Sequence, residues 1–296
     1  MIYLRRFFFP DAEREVSFRM GEKRTCFDTF YPFQVLSGKG LSALEMDHLT
    51  ILYGGNGSGK TTALNVIAEK LSLQRDTLYN RSNFFGDYLN LCHYDLGRPV
   101  PRQSRVITSD DVFDYMLNLR AINQGVDANR EEIMADYLEM SNANPGNKFG
   151  TWQLGSMEDY ETLKKLNAAR HKTQSRFVRS FAARNVREQS NGESAYAYFT
   201  DRIRENALYL LDEPENSLSP RRQTELAAFL EESVRFYGCQ FLIATHSPFL
   251  LALRGAKIYD LDADPAQVRK WTELENVRAY YDFFRQHQDA FGDDGE

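Results

Sequence analysis

Residues 54–61 read Gly-Gly-Asn-Gly-Ser-Gly-Lys-Thr, which matches the phosphate-loop pattern G-x-x-x-x-G-K-[ST]. Glycines at this spacing let backbone N–H groups surround phosphate oxygens, and a helix N-terminus adds positive potential there. Lys60 is predicted to reach the β- and γ-phosphates of a nucleotide as a catalytic residue, and Thr61 to coordinate Mg²⁺. The predicted nucleotide-binding residues are Gly54, Asn56, Gly57, Ser58, Gly59, Lys60, Thr61 and Thr62. A glycine-rich turn without a ligand is the alternative.

Two adjacent carboxylates, Asp212 and Glu213, follow the apolar run 208–211. A buried strand that ends in two acids suits phosphoryl transfer, in which one acid holds Mg²⁺ and the other orients or deprotonates the attacking water. We therefore predict Asp212 as a metal ligand and Glu213 as a catalytic residue. Such a pair alone is more often a turn, but here it lies downstream of a complete phosphate loop.

The elements that position these residues alternate between strands and helices. Continuous apolar runs at Leu49–Tyr53, 207–211 and 240–245 predict buried parallel strands. A helix is predicted over 61–68, and the Ser-Pro pairs at 219–220 and 247–248 are typical of an N-cap followed by proline at the first helical position. This alternation indicates an α/β fold.

Residues 110–190 differ, because long polar helical patterns there break near residues 142–146. They predict a helical subdomain inserted into the α/β core. The predicted division is 1–109 for the N-terminal part of the core, 110–190 for the helical subdomain, 191–262 for the C-terminal part of the core, and 263–296 for a C-terminal helix and acidic tail.

A capping box at Thr272 and Glu275 predicts where the C-terminal helix begins. One face of this helix carries five apolar residues, Leu274, Val277, Tyr281, Phe284 and Phe291. This face either docks a separate effector protein or packs on the core.

In their order, these motifs resemble the ATP-binding cassette superfamily. Residues 215–220, Glu-Asn-Ser-Leu-Ser-Pro, follow Asp212-Glu213-Pro214 and are similar to that family's dimer-contact loop, and residues 190–193, Ser-Asn-Gly-Glu, resemble its Ser-Gly-Gly-Gln signature. His246, after the third strand, matches the switch histidine that contacts the γ-phosphate in relatives. The resemblance runs from Ile2 to about Ile258, and it implies a P-loop NTPase fold of the ATP-binding cassette type.

The resemblance also implies Mg-dependent ATP hydrolysis in composite sites, which form when two copies pair head to tail. Ser190, Gly192 and Glu193 of one copy are expected to close over the nucleotide on the other copy's phosphate loop, and His246 is expected to be catalytic. ATP and Mg²⁺ are the implied cofactors, and an ATP-dependent homodimer is the implied assembly. Asn191 stands where the family has its first signature glycine.

Two positions of the family pattern stay open. The magnesium-sensing glutamine of the family ends a strand, and the candidates around the run 105–108 are Gln103, Ser109 and Asp110. A platform for adenine is expected from the N-terminal segment, and its candidates are Arg5, Arg6 and Phe7.

Residues 245–250, Thr-His-Ser-Pro-Phe-Leu, resemble soluble ATPases related to chromosome-maintenance, recombination and overcoming-lysogenisation-defect proteins. This implies coupling to nucleic acid, or to an effector protein, in DNA maintenance or bacterial anti-phage defence. The alternatives are an ATP-gated regulatory subunit with little turnover and the ATPase subunit of a membrane transporter.

A basic run gives the nucleic-acid hypothesis separate support. Residues 164–187 contain eight Lys and Arg residues and no Asp or Glu. As a helix, the run brings Lys172, Arg176, Arg179 and Arg187 to one side, where they could follow a phosphate backbone. A solvated basic face is the alternative.

The composition of the 296-residue chain limits the other classes. A net charge of −6 argues against a protein that is basic throughout. Its three cysteines are scattered, its first residues lack a signal-peptide pattern and no apolar run approaches about 18 residues, so we expect a cytoplasmic protein without membrane insertion. The series Asp260, Asp262 and Asp264 is interpreted as a strand end and turn rather than as the metal site of a nuclease.

Overall fold

The computed structural model describes residues 1–24, 26–142, 173, 178 and 191–291. The strands of this part of the chain are β1 (Leu4–Phe8), β2 (Ala43–Glu45), β3 (Leu49–Tyr53), β4 (His93–Leu96), β5 (Arg105–Thr108), β6 (Leu208–Asp212), β7 (Gln240–Ala244), β8 (Lys257–Asp260) and β9 (Gln267–Arg269). The helices are α1 (Ala12–Gly21), α2 (Lys60–Lys70), α3 (Phe85–Leu91), α4 (Ser109–Asn142), α5 (Asn191–Arg202), α6 (Pro220–Phe236), α7 (Pro248–Leu251) and α8 (Glu275–Gln286). Short 3₁₀ turns occupy Ser37–Lys39, Trp271–Glu273 and Gln288–Phe291.

The larger sheet has six strands in the order β5-β6-β7-β3-β8-β9. Its neighbours pair in parallel, except that β9 runs antiparallel to β8. In register, Ala244 lies opposite Leu52 on one side and Asp212 on the other. Because parallel strands end at the same edge, the segments that follow β3, β6 and β7 lie side by side.

The apolar runs form strands because both faces of this sheet are covered. Every residue of β3, β6 and β7 is buried, which suits a parallel sheet packed on two sides. Helix α2 packs on β6 and β7, and it buries residues over two turns, including Leu64 and Ile67.

The smaller sheet is antiparallel, with the order β2-β1-β4. Gln240, at the start of β7, joins it to the larger sheet. Its side chain accepts hydrogen bonds from the N–H groups of Tyr3 (2.8 Å) and Leu4 (3.0 Å) and donates one to the Leu4 carbonyl (2.8 Å). Phe7 of β1 is fully buried in the shared core.

The predicted α/β fold is confirmed. The predicted strands correspond to β3, β6 and β7, and the helix after the phosphate loop begins at Lys60. Both Ser-Pro pairs start helices, with Ser219 and Ser247 as N-caps and proline at the first helical positions. The Ser247 side chain also accepts a hydrogen bond from the Phe249 N–H.

The chain divides into two compact units. Residues 1–114 and 190–296 form one, and residues 115–189 form the other. Helix α4 begins in the first unit and continues into the second. Within the second unit, the structure describes a continuous range only as far as Asn142. Over the described residues, no helix combines the length and the apolar character that crossing a membrane requires.

The start of the C-terminal helix differs from the prediction. Thr272 belongs to a 3₁₀ turn, Glu275 is the first residue of α8, and the N-cap is Leu274 without a side-chain hydrogen bond. The carboxylate that caps this region is Glu273, which accepts from the Lys270 N–H (3.3 Å). The predicted capping box is therefore wrong, because the chain turns once before the helix begins.

The apolar face of α8 is only partly covered. Leu274 and Val277 are buried, whereas Tyr281, Phe284 and Phe291 each expose more than half of their surface. The first turn of this face therefore packs on the core. The rest is exposed, and docking of an effector protein there stays a prediction.

Candidate functional site

The phosphate loop connects β3 to α2, and glycine is required at two of its positions. A Cβ on Gly54 would lie 2.5 Å from the Ser58 hydroxyl oxygen. Gly59 has a φ of +96°, and a Cβ there would approach Leu36 and Val35 to 3.1 and 3.2 Å. L-residues rarely adopt such a φ, so the loop is a tight cradle that closes only without side chains at these points.

Lys60 lies inside this cradle. Its side chain is 4% exposed, and Nζ donates to the carbonyl oxygens of Gly54 (2.6 Å) and Gly55 (3.0 Å). The Ser58 hydroxyl is buried and has no hydrogen-bond partner. A buried cation beside an unpaired hydroxyl is a fitting environment for phosphate oxygens.

The carboxylate of Asp262 holds the start of the phosphate loop. The Gly55 N–H donates to Asp262 Oδ2 at 2.8 Å. Asp260, at the end of β8, accepts from the N–H groups of Asp262 and Ala263 and pairs with Arg269 at 3.2 Å. These contacts form the predicted strand end and turn, and they place Asp262 against the phosphate loop.

Thr61 and Asp212 meet at the end of β6. Thr61 Oγ1 donates to Asp212 Oδ1 at 3.1 Å, although the residues are 151 positions apart. Burial raises the pKa of Asp212 to about 6, which the Thr61 hydrogen bond and the charges of Lys60 and Arg75 partly oppose. A hydroxyl and a carboxylate oxygen are the hard ligands that Mg²⁺ prefers, so this pair fits the predicted metal site.

Glu213 adopts an uncommon backbone conformation. Its φ is +47°, and its N–H donates to the Ala244 carbonyl at 2.9 Å. Its Oε1 lies 3.7 Å from Lys60 Nζ and 3.9 Å from His246 Nδ1, and its Oε2 accepts from Asn216 Nδ2 at 3.0 Å. Left-handed backbone at a residue other than glycine concentrates at functional sites, and here it directs a carboxylate towards the phosphate loop.

His246 follows β7, and its side chain is 46% exposed. Its N–H donates to Glu215 Oε1 (3.0 Å), which also accepts from the Thr245 hydroxyl (2.6 Å). The carbonyl of His246 accepts from Asn276 Nδ2 at 2.7 Å. The imidazole therefore stands beside Glu213 on a backbone that is held from two sides.

The described residues of the predicted signature lie away from the phosphate loop of the same chain. Ser190 is outside the described residues. Gly192 is in the first turn of α5, where a Cβ would be 3.8 Å from the Ser217 carbonyl, and Glu193 pairs with Arg222 at 3.2 Å. Among the described residues that line the cavity at the phosphate loop, neither Gly192 nor Glu193 is present. The structure places them beside the predicted dimer-contact loop.

The direction of β5 reduces the number of candidates for the magnesium-sensing residue. Gln103 precedes β5, and its Nε2 donates to the Asn206 carbonyl at 3.1 Å, at the amino ends of the strands. Thr108, at the other end of β5, pairs in register with Asp212. Ser109 and Asp110 line a cavity of about 430 Å³ together with Thr61 and Asp212. Gln103 is thus the wrong candidate, because it lies at the opposite edge.

The predicted adenine platform is not at the phosphate loop. Phe7 is fully buried in the core, and Arg6 pairs with Glu45 at 3.1 Å on the smaller sheet. Arg5 lies against Gly97 on the same sheet. Instead, Val35 lines the cavity formed by residues 56–62 and Glu213. Burial therefore rules out Phe7, whereas Arg5 and Arg6 are exposed on β1 and stay candidates for the platform.

Two functional candidates carry no motif and were missed. Arg75 lines the cavity beside Asp212, donates to Asn65 Oδ1 and stacks 4.4 Å from the centre of the Tyr79 ring. Asn276 reaches His246 from α8. A third, Glu215, sits within the predicted dimer-contact loop, but its contact with His246 could not be read from that motif.

The six-stranded sheet, the phosphate loop after β3 and the acidic end of β6 together form the fold and the site of a P-loop domain. A family model described as "AAA domain, putative AbiEii toxin, Type IV TA system" matches residues 164–252, the stretch that contains β6, the predicted dimer-contact loop and His246. No curated protein sequence gives a significant match.

Several solved structures are similar to the chain. An Smc head domain from Pyrococcus furiosus, bound to the C-terminal domain of ScpA, is 13% identical with a TM-score of 0.39, covering 83% of this chain and 95% of that chain. Stu0660 of Streptococcus thermophilus is 14% identical with a TM-score of 0.41, covering 95% and 80%. The dimeric ATP-binding cassette MJ0796 with ADP and phosphate is 13% identical with a TM-score of 0.36, covering 78% and 90%.

Proposed function

We propose that the protein binds MgATP and hydrolyses it in two composite sites, each completed when two copies pair head to tail. The observation that carries this proposal is the hydrogen bond between Thr61 and Asp212 at 3.1 Å, beside the buried Lys60. It brings a phosphate loop and an acidic strand end together at one sheet edge, as metal-assisted phosphoryl transfer requires.

Each residue at this edge has a distinct role in the proposal. Lys60 turns from the loop carbonyls to the β- and γ-phosphates, and Glu213 accepts the proton of the attacking water. His246 contacts the γ-phosphate. Thr61 and Asp212 hold Mg²⁺, which neutralises charge on the phosphate oxygens when it is bound.

The position of the signature supports pairing between two copies. Gly192 lies against the Ser217 carbonyl, and Glu193 is held by Arg222, so both belong to the surface next to the predicted dimer-contact loop. We propose that these residues, with Ser190, bind the γ-phosphate on the partner copy. ATP then stabilises the dimer and hydrolysis releases it, because the two nucleotide states make different contacts.

Replacing Lys60 with Ala tests the ATPase itself. We expect ATP-dependent phosphate release to fall by about 10²-fold or more, because a donor aimed at developing negative charge is removed. ATP should also no longer raise the melting temperature. Phosphate release and thermal unfolding with and without MgATP measure both effects.

Lys270→Ala is the matched control, because Lys270 is an exposed residue that follows β9. It should keep wild-type values in both assays. Normal turnover in Lys60→Ala would contradict the assignment of the phosphate loop.

We further propose that hydrolysis is coupled to nucleic acid, in DNA maintenance or anti-phage defence. The support is the basic run 164–187 and the description of the matched family model, which names a putative toxin of a toxin–antitoxin system. Lys172, Arg176, Arg179 and Arg187 lie outside the described residues, so the coupling rests on the sequence.

Reversing two charges of this run tests the coupling. With Arg176→Glu and Arg179→Glu combined, we expect DNA to lose its stimulation of the ATPase while the basal rate stays unchanged. Wild-type stimulation should decline steeply with salt, as phosphate contacts do. Slow turnover, a stable dimer in ATP and no response to DNA or RNA would favour a regulatory subunit. Copurification with a membrane protein would favour the ATPase subunit of a transporter.

A further inference from the structure

The backbone of His246 is held by side chains from two other elements. Glu215, after β6, accepts its N–H at 3.0 Å, and Asn276, from α8, donates to its carbonyl at 2.7 Å. The imidazole has weaker attachments, since Nδ1 is 3.5 Å from Glu215 and 3.9 Å from Glu213. Both distances exceed those of ordinary hydrogen bonds, so the position of the histidine is fixed through its backbone rather than through its ring.

Asn276 makes a second contact, at the root of the phosphate loop. Its N–H donates to the hydroxyl of Tyr53 at 3.2 Å, and Tyr53 is the last residue of β3 before Gly54. One residue thus connects the segment that carries His246 to the strand that carries the phosphate loop. Leu274 and Val277 are buried on either side of it, which anchors this turn of α8 to the core.

We propose that Asn276 is a positioning residue for the ATPase: it holds His246 at a set position relative to Glu213 and the phosphate loop. The inference rests on the proposed role of His246 at the γ-phosphate. Without the Asn276 amide, the His246 carbonyl loses its protein donor. The peptide that follows the histidine is then held only through the Ser247 N–H, which donates to Thr245 Oγ1 at 3.0 Å. A small displacement of the imidazole should slow the reaction more than it weakens nucleotide binding, because the phosphate loop is expected to make most of the contacts with the nucleotide.

Kinetics of Asn276→Ala provide the first test. We expect kcat to fall about tenfold, with the KM for ATP unchanged, because catalytic geometry is lost while the loop stays intact. Asp282→Ala, an exposed polar residue on the same helix, should behave as wild type. In a His246→Ala background, Asn276→Ala should cause no further loss, since both changes remove the same contribution.

An equal tenfold loss in the His246→Ala background would overturn the proposal, because Asn276 would then act through the fold in general. A raised KM for ATP with an unchanged kcat in Asn276→Ala would also overturn the proposal.

Hydrogen exchange of the nucleotide-free protein gives a second test that does not depend on turnover. Asn276→Ala should increase amide exchange in the peptide that contains residues 245–250, and Asp282→Ala should not. Unchanged exchange in that peptide overturns the proposal at any level of activity. If the wild type proves inactive, the proposed ATPase function fails separately, and the exchange result alone decides whether Asn276 holds this segment.

Discussion

Glu213→Gln is expected to convert the protein into a stable dimer in MgATP, with ATP turnover reduced by about 10²- to 10⁴-fold. Gln keeps the size of the side chain and one acceptor oxygen, but it cannot take a proton from water. Nucleotide therefore remains as ATP, and the state that ATP stabilises accumulates. Light scattering measures the doubled mass, and phosphate release measures the turnover.

The surroundings of Glu213 explain why this effect should be large. Its Oε1 lies within 4 Å of both Lys60 Nζ and His246 Nδ1, at 3.7 and 3.9 Å. The strained φ of +47° sets this direction, and the bond from its N–H to the Ala244 carbonyl maintains it. No other carboxylate among the described residues that line the phosphate-loop cavity can replace it.

Glu232→Gln is the matched control, because Glu232 is an exposed residue of α6 that should leave mass and turnover unchanged. ADP in place of ATP should leave Glu213→Gln monomeric. A monomer in MgATP would show that two copies do not complete the site, and normal hydrolysis would show that Glu213 is not the base.

Asp212→Asn should act in opposite directions on stability and on activity. In the nucleotide-free protein, burial raises the pKa of Asp212 from 3.8 to about 6. Ionised Asp212 therefore lowers the free energy of unfolding by about 3 kcal/mol at pH 8, an order-of-magnitude value from the pKa difference. Asn carries no charge, so the substitution should recover most of this free energy.

The pH dependence follows from the sign of the shift. The folded protein binds the proton more tightly than the unfolded chain, so stability falls as pH rises from 3.8 to about 6. The gain from Asp212→Asn should thus be greatest above pH 6, about half as large near pH 5 and absent below the unfolded pKa. Urea unfolding at pH 5 and pH 8 measures it.

The same substitution should abolish ATPase activity, although it stabilises the nucleotide-free protein. Asp212→Asn removes a carboxylate ligand, so Mg²⁺ should no longer enhance ATP-dependent stabilisation, and turnover should be lost. Asp282→Asn is the control for both assays, because Asp282 is exposed. If Asp212→Asn destabilises the nucleotide-free protein at pH 8, Asp212 is not an unfavourably buried carboxylate, and its assignment as a metal-site residue loses this support.

The sequence by itself predicted the elements whose signals are local. Apolar runs predicted β3, β6 and β7, and glycine spacing predicted the loop at residues 54–59. Proline after serine predicted the starts of α6 and α7. Each of these depends on neighbours within a few residues, where backbone sterics and capping act.

Predictions failed where the chain contacts distant segments. The capping box at Thr272 missed the 3₁₀ turn before α8, and Phe7 lies in the core because β1 packs between β2 and β4. Gln103, one of three open candidates for the magnesium-sensing position, has a suitable spacing, but the direction of β5 places it at the opposite edge of the sheet from Asp212. Spacing along the chain does not reveal which end of a strand faces the site.

The sequence alone was enough to predict the residues proposed for phosphate and magnesium, because those residues lie in short, ordered motifs. Tertiary structure alone decided which other side chains join them. Arg75 comes beside Asp212, and Asn276 comes to His246, because β6 and β7 pair next to β3 and because α8 packs on the core. Those contacts join residues from separate parts of the chain, and no local pattern in the sequence encodes them.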